Sequence, residues 1–281
     1  MARTFDNNAA NYLEVATVPA TGTPVSMACW FNTATVNAND TMISLADSGT
    51  TNNWLIMNMR GGVAGDPIAV WINAAGSQQI TVTTSGVTAG QWHHGLAVFA
   101  SSTSRTIYLD GGSSATGTTN LTATGLDRLS VGRVGDSTPS SEFNGQIAEV
   151  ALWDVALTAA DALMLSKGYS PLFVKPGNLI AYYPIIGNNS PETDLIAGAN
   201  LTVNGTVAKA VHPRIIYPSP AQIRRFTTAS AASASLSPSA SESKSASASE
   251  SKSLSPSASE SKSASASESA SESPSESKSL V

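Results

Sequence analysis

Apolar and polar residues alternate over short stretches along most of this chain, and Gly, Asn and Pro separate these stretches. Alternation over four to eight residues predicts a β-strand with one buried face. The hairpin-length loops between successive strands predict antiparallel sheets that pack face to face. The predicted strands up to residue 132 are 12–15, 25–31, 42–45, 54–59, 68–72, 79–83, 95–99, 106–109 and 129–132.

The stretch from Phe143 to Leu157 is the most informative part of the pattern. Its Asn144-Gly145 pair predicts a turn. The apolar, partly alternating residues that follow predict a strand that ends at Trp153-Asp154, before a short segment with helical character. We expect this strand to close the sandwich.

Four segments follow one another in a characteristic order and spacing: Phe5 to Val15, Trp92 to Gly111, Val131 to Arg133 and Phe143 to Leu157. This order resembles the laminin-G/pentraxin-like (concanavalin A-like) jelly-roll family. The resemblance covers about residues 1–170 and implies an all-β fold, an antiparallel jelly-roll β-sandwich.

Residues 171–226 have a different pattern, which predicts an added strand pair and then a Pro-rich extended arm. The strands are expected at 179–185 and 200–207, with even chances that they cover an exposed sheet edge. The arm lies either on its own domain or against a neighbouring subunit. In the second case the contact residues are Ile215, Ile216, Tyr217, Ile223, Arg224, Arg225 and Phe226.

Residues 227–281 form a low-complexity tail, in which serine occupies every odd position from Ser233 to Ser279. Such a composition does not bury enough apolar area to offset the entropy of ordering the chain, which predicts a flexible tether. The strict period of two leaves a second interpretation open. Extended copies would present all serines on one face and pack side by side as a zipper.

Composition and charge exclude several classes of protein. Charged residues make up 12% of the chain, the net charge is −5, and no basic stripe indicates nucleic-acid binding. The single cysteine, Cys29, excludes an intramolecular disulfide and is expected to be a buried thiol. No apolar run is long enough for a transmembrane helix. If Met1 is the true start, no signal peptide is present and synthesis is cytoplasmic.

Catalysis has little support in the sequence. No nucleophile elbow, zinc-protease motif or phosphate-binding loop is present. Glu149 and Asp154 are the carboxylates of the closing strand, but five residues apart on a regular strand they point to opposite faces. His93 and His94 are adjacent, so they also face opposite ways, and we expect them to begin a strand. We therefore predict that the chain is not an enzyme.

The resemblance implies a possible calcium site on two loops at one end of the sandwich. Ca²⁺ is bound by carboxylate, amide and carbonyl oxygens. By alignment the loops are 47–53 and 136–142, although the acidic run that pentraxins place in the second loop is missing. The alternative is that these are ordinary solvated turn residues. The expected ligands are Asp47, Asn53 and Asp136, with Asn52 and Glu142 in reserve.

Glycan binding would use the same loops or a sheet face with exposed aromatic rings. Trp54, Trp71 and Tyr108 are the candidates, because an aromatic ring is an apolar platform for a sugar. The alternative for each ring is packing in the core.

Three functions remain open from the sequence. The first is a virion-associated structural or decorating protein on the capsid or tail of a tailed bacteriophage, which contacts other virion proteins and copies of itself and adheres weakly to glycans. This hypothesis rests on a domain typical of exterior surfaces without a secretion signal, and on the resemblance of the tail to phage structural proteins. The second is a secreted or cell-surface carbohydrate-binding adhesin. The third is a glycoside-active enzyme.

Overall fold

Residues 2–218 of the computed structural model are described here, and they form two antiparallel β-sheets and one α-helix, α1 (Ala159–Ser166). The strands, in chain order, are β1 (Ala2–Asp6), β2 (Tyr12–Val15), β3 (Val25–Thr33), β4 (Thr41–Ala46), β5 (Asn53–Met59), β6 (Pro67–Ala74), β7 (Ser77–Gly86), β8 (His93–Ser101), β9 (Ser104–Leu109), β10 (Ser113–Gly117), β11 (Arg128–Val131), β12 (Asn144–Trp153), β13 (Leu179–Tyr183), β14 (Thr202–Asn204) and β15 (Ala208–Ala210).

The strands divide into two sheets that pack face to face. Sheet A has the order β10-β9-β8-β3-β12-β1-β15, and β13 also pairs with β12. Sheet B has the order β14-β2-β11-β4-β5-β6-β7. Neighbours in space are often distant in the sequence, as expected for a jelly roll. The prediction of an all-β antiparallel jelly-roll sandwich is confirmed.

Alternation along the strands places one set of side chains between the sheets. In β3, Met27, Cys29 and Phe31 belong to the central core, whereas Ala28 lies on the outer face of sheet A. Burial raises the pKa of the Cys29 thiol, so this cysteine stays protonated and unreactive. The expectation of a buried free thiol is confirmed.

The outer face of sheet A is covered by α1 and the segment after it. Thr158 and Asp161 form a capping box that starts the helix, and the buried residues Ala162 and Leu165 face the sheet. The indole N–H of Trp153, at the end of β12, donates to the Val174 carbonyl at 2.8 Å. These contacts make the outer side of sheet A a second apolar cluster.

The prediction of a turn at Asn144-Gly145 is wrong. Both residues lie inside β12, where Gly145 is paired with Phe5 of β1 and Thr33 of β3. The Gly145 φ angle is +148°, and a Cβ atom there would overlap the Asn32 carbonyl oxygen. Glycine is therefore needed for close approach between strands, which a sequence pattern does not distinguish from a turn.

A β-bulge in β12 brings Glu149 into the interior. Pairing with β3 shifts register between Ala148 and Ala151, and Glu149 itself has a φ of +57° and is 2% exposed. The first half of β12 pairs with β1 and the second half with β13. The Glu149 carboxylate accepts hydrogen bonds from the Tyr182 hydroxyl at 2.6 Å and the Tyr217 hydroxyl at 2.7 Å.

His212 also contacts this carboxylate, with Nε2 3.2 Å from Glu149 Oε1. Its Nδ1 lies 2.9 Å from the Pro213 carbonyl oxygen, so both ring nitrogens face acceptors. These contacts favour the doubly protonated ring and raise the pKa of His212, although burial acts in the opposite direction.

The last described strands join both sheets. β13 extends sheet A beside β12, β14 forms the edge of sheet B beside β2, and β15 pairs with β1 at the edge of sheet A. The strands predicted at 179–185 and 200–207 thus do not pair with each other.

The described part of the predicted arm lies on the sandwich of the same chain. The Ile216 N–H donates to the Gly168 carbonyl at 2.7 Å, and Tyr217 reaches Glu149. Ile215 is partly buried, while the side chains of Ile216 and Tyr217 are half exposed. A subunit contact through this arm stays a prediction. The remaining predicted contact residues, Ile223, Arg224, Arg225 and Phe226, and the tail 227–281 lie outside the described residues.

Within residues 2–218, no helix has the length and apolar character needed to cross a membrane.

Replacing Glu149 by Ala tests the importance of this buried carboxylate. We expect Glu149→Ala to lower the free energy of unfolding by about 2–4 kcal/mol, because the buried Tyr182 hydroxyl loses its acceptor away from water and the Tyr217 hydroxyl loses its hydrogen bond. Urea denaturation monitored by tryptophan fluorescence measures the change. The control is Asp154→Ala, since Asp154 is exposed and holds only Asn178. Equal stability of the two variants would contradict the prediction.

Candidate functional site

An open groove lies on the outer face of sheet B. Its volume is ≈ 330 Å³. The floor comes from β5 and β6, and one wall is a β-bridged loop that follows β11, closed by the Val134–Ser140 bridge. The groove is lined by Thr51, Trp54, Ile56, Trp71, Asn73, Gln78, Val134, Asp136, Thr138, Ser140 and Ser141.

Strand alternation explains the floor of the groove. Leu55 and Met57 point into the central core, so Trp54 and Ile56 point outward. Trp71 pairs with Ile56 across the two strands and shares this outer face. The outer side of sheet B therefore has a small apolar cluster in place of the polar surface typical of a solvated sheet.

The two tryptophans have different roles in the groove. Their rings contact edge to face, with centroids 5.0 Å apart. Trp54 is only 6% exposed and packs as part of the floor, whereas Trp71 is partly exposed. The Trp71 indole N–H donates to Gln78 Oε1 at 3.1 Å, and the Arg60 guanidinium carbon lies 5.1 Å from the Trp71 ring centroid. Trp71 is thus the aromatic platform that a ligand meets.

The wall of the groove is held at both ends. The Thr41 N–H donates to the Ser141 carbonyl at 2.9 Å, and the Ser137 N–H donates to the Thr50 carbonyl at 3.2 Å. The second contact joins the loops 47–53 and 136–142. The structure therefore brings together the two loops that the resemblance implied for calcium.

The predicted calcium ligands have much of their hydrogen-bonding capacity in use. Asp47 Oδ1 accepts the Gly49 N–H at 2.8 Å, and Asp136 Oδ1 accepts the Thr138 N–H at 2.9 Å. Asn53 Oδ1 accepts two backbone N–H groups, at 3.2 and 3.3 Å.

A calcium ion at these two loops would need ligands besides Asp47, Asn53 and Asp136. No group of three or more His, Cys, Asp or Glu side chains in residues 2–218 is placed to hold a metal ion. Asn52 and Glu142, the reserve ligands, lie on the same two loops. A calcium ion would need backbone carbonyls and water for most of its ligands, and the site stays a prediction.

The structure separates the three predicted glycan-binding rings. Trp54 and Trp71 share the groove on sheet B. Tyr108 lies in β9 of sheet A and packs with the outer apolar cluster under α1. Tyr108 cannot contribute to the same site, because the two sheets and the core lie between them.

His93 and His94 begin β8, as predicted, and their environments differ. His93 Nε2 accepts the Thr88 N–H at 3.0 Å, and its Nδ1 lies 2.7 Å from Asp110 Oδ2. Both ring nitrogens of His93 are thus occupied. Burial lowers the pKa of His94 to about 4, although the nearby Asp110 charge raises it, so His94 is neutral at pH 7.

Sequence reasoning missed the polar residues of the groove. Asn73 and Gln78 are a cross-strand pair of β6 and β7 and lie on the same face as Trp71. Strand alternation places these two residues on the face of Trp71, so the sequence pattern could have identified them. The sequence could not predict that Thr138, Ser140 and Ser141 line the groove, because their position depends on where the loop after β11 folds back.

A buried carboxyl lies next to the Ser141 end of the groove. Asp40 is 3% exposed, and its Oδ2 accepts the Asn144 N–H at 3.2 Å. Burial raises the pKa of Asp40 to about 6; the Glu142 charge adds to the shift, and the Asn144 hydrogen bond opposes it.

This shift predicts a pH-dependent stability. The folded state binds the Asp40 proton more tightly than the unfolded state, so the free energy of unfolding falls as pH rises from about 4 to above 6. We expect Asp40→Asn to be more stable than the wild type at pH 7.5, by up to about 3 kcal/mol, and similar at pH 3.5. Thermal unfolding at both pH values measures this. A difference that does not depend on pH, or one also seen for Asp154→Asn, would contradict it.

The calcium site is tested by thermal unfolding with and without Ca²⁺. If the predicted ligands bind the ion, millimolar Ca²⁺ raises the melting temperature of the wild type, because a ligand that binds only the folded state stabilises it. Asp47→Asn should abolish this response, whereas Asp66→Asn, on another loop, should retain it. A wild-type melting temperature that ignores Ca²⁺ and chelator would rule the site out.

Two solved structures have similarity to this chain. No curated protein sequence matches the chain. A candidate carbohydrate-binding protein from Bacteroides ovatus matches with a TM-score of 0.54 and 22% identity, over 76% of this chain and 61% of that one. A heptameric SAP-like pentraxin from Limulus polyphemus matches with a TM-score of 0.49 and 12% identity, over 59% of this chain and 81% of that one.

The family follows from the sequence itself. The family described as the concanavalin A-like lectin/glucanases superfamily matches residues 6–162. These residues include β2 to β12 and the first part of α1, which are the elements that build the core of both sheets and the groove. Since the match spans more than half of the 281 residues, this chain belongs to the concanavalin A-like lectin/glucanases superfamily.

Proposed function

We propose that this chain is a non-catalytic glycan-binding protein and that the groove on sheet B is its binding site. The observation that carries the proposal is the partly exposed Trp71 ring beside polar side chains in an open groove of ≈ 330 Å³. A sugar ring has apolar C–H faces and hydroxyls around its rim. An aromatic floor with amide and hydroxyl groups on both sides matches both features.

The polar groups around Trp71 suit hydroxyl recognition. The amides of Asn73 and Gln78 lie on one side, and the hydroxyls of Thr138 and Ser140 lie on the other. Amides and hydroxyls both donate and accept hydrogen bonds, as sugar hydroxyls do. Membership of a superfamily of lectins and glucanases supports this use of the fold.

The groove offers no pair of carboxylates for acid–base chemistry. Asp136 is the acidic residue among its lining side chains, and glycoside hydrolysis uses two carboxyl groups on either side of the scissile bond. Glu149 is buried beside Tyr182 on the outer side of sheet A, so the whole sandwich separates it from the groove. Binding without cleavage is therefore the activity that we propose.

The setting of this activity stays a prediction from the sequence. The chain would use the same groove on a virion, on a cell surface or as a secreted protein. Copurification of the chain with nuclease-resistant particles, as against cell envelopes, distinguishes the two settings.

Removing the aromatic platform tests the proposal. We expect the wild-type chain to bind a subset of glycans on a glycan array, and Trp71→Ala to weaken that binding at least about tenfold, because the apolar contact with the sugar ring is lost. The matched control is Tyr108→Ala, which removes an aromatic ring from the opposite sheet and should keep the affinity. Circular dichroism verifies that both variants are folded. Binding that survives in Trp71→Ala, or the absence of any glycan ligand for the wild type, would contradict the proposal.

A further inference from the structure

Arg60 lies beside the groove residue Trp71, and its side chain forms no ion pair or hydrogen bond with the described part of the chain. It follows β5, and its backbone N–H donates to the Pro67 carbonyl at 2.8 Å. The residue is partly buried, and its Nε is buried with no hydrogen-bond partner within residues 2–218. The described arginines that form ion pairs are Arg3, Arg128 and Arg133, and Arg60 is not among them. The Nε atoms of Arg128 and Arg133 also lack a hydrogen-bond partner in the described residues, but these two arginines pair with Glu14, whereas the charge of Arg60 is free to pair with an anionic ligand.

The register of the strands shows which residues share a face with Arg60. Ile56 pairs with Trp71, and Asn58 pairs with Ala69 one step further along the outer face. Arg60, directly after β5, continues the outward alternation, and its guanidinium carbon lies 5.1 Å from the Trp71 ring centroid. The Arg60 and Trp71 side chains therefore approach each other on the face that also carries Asn58 and Ala69. Both of these residues are 0% exposed, although they belong to an outer face.

Near Arg60 in the sequence register, Asn58 belongs to a small group of buried polar atoms that have no hydrogen-bond partner within residues 2–218. Neither Oδ1 nor Nδ2 of Asn58 makes a hydrogen bond in the described part of the chain, and the same holds for Oγ1 of Thr41, the residue paired with Asn58 across β4 and β5. Buried polar side chains normally form hydrogen bonds, and a buried polar group without a hydrogen bond destabilises the fold. This group adjoins the Ser141 end of the groove, because the Thr41 N–H donates to the Ser141 carbonyl.

We propose that Arg60 and Asn58 form a subsite for the oxyanion of an acidic sugar, a carboxylate or a sulfate ester, at this end of the groove. This inference rests on the proposed glycan binding and specifies the class of glycan. The guanidinium presents two parallel N–H groups that match a carboxylate or sulfate, while Trp71 holds the sugar ring. The Asn58 amide lies on the same face, and the oxyanion would give its N–H a partner.

Three carboxyl groups lie around the groove. Asp136 lies beside the loop that precedes β5, whereas the backbone of Arg60 follows the other end of that strand. Asp40 and Glu142 lie close to each other, next to the wall of the groove. The Arg60 guanidinium is the positive charge beside Trp71, and it attracts an oxyanion against the repulsion of these carboxylates.

Calorimetric titration of the full chain with three probes tests the subsite. The probes are tetragalacturonate, a sulfated carrageenan tetrasaccharide and the neutral galactotetraose. We expect the wild type to favour an acidic probe, and R60Q to weaken that binding at least about tenfold through loss of a charge-assisted contact. R60K should be intermediate, because it keeps the charge without the paired N–H groups. The control R214Q removes the same charge from an exposed arginine that follows β15 and lies beside Lys167. This variant should bind like the wild type.

The outcomes separate this inference from the proposed function. Which acidic probe binds identifies the oxyanion. Equal affinity for acidic and neutral probes, lost in Trp71→Ala but kept in R60Q, would overturn the oxyanion subsite and leave glycan binding intact. Equal weakening by R60Q and R214Q would also overturn it, since it would show general charge attraction. Binding of no probe by the wild type, together with no ligand on the glycan array, would overturn both.

Discussion

The buried Glu149 carboxylate is the contact on which the arrangement of sheet A depends. It lies at the bulge where β12 exchanges β1 for β13 as its neighbour. Its oxygens are held by Tyr182 from β13 and Tyr217 from the end of the described chain. One acidic side chain thus joins the closing strand to two segments that follow it. The strained φ of +57° is tolerated because these contacts hold the residue in place.

The two outer faces of the sandwich are used differently. Sheet A is covered by α1 and the segment that ends at Tyr217, so its apolar residues are buried within the chain. Sheet B keeps Trp71 partly open, and the loop after β11 lies along one side of it. An antiparallel sheet can leave one face to solvent, and here that face carries aromatic and amide side chains instead of a uniformly polar surface. The groove follows from this asymmetry.

Much of the fold was predictable, because hydrophobic alternation determines which strands exist and which face of each is buried. Trp54 and Trp71 were candidates from the sequence because their rings could stack on a sugar, with core packing as the alternative; glycan binding by either ring stays a prediction. The prediction failed at Gly145 and could not place Tyr108, since both depend on which strands become neighbours. Arg60 gave no signal either: its importance comes from the approach of its guanidinium to the Trp71 ring and from the absence of an acidic partner in the described residues. Local sequence carries neither fact.

Because Tyr217 is held on the outer side of sheet A, the two sides of the sandwich differ. The described residues end at Pro218, on the side of sheet A, whereas the groove opens on the outer face of sheet B. A support joined at that point would hold the domain by its closed side and display the groove outward. Copies arrayed on one surface would then present their grooves in the same direction, so that weak individual contacts with a dense glycan layer add up to avidity.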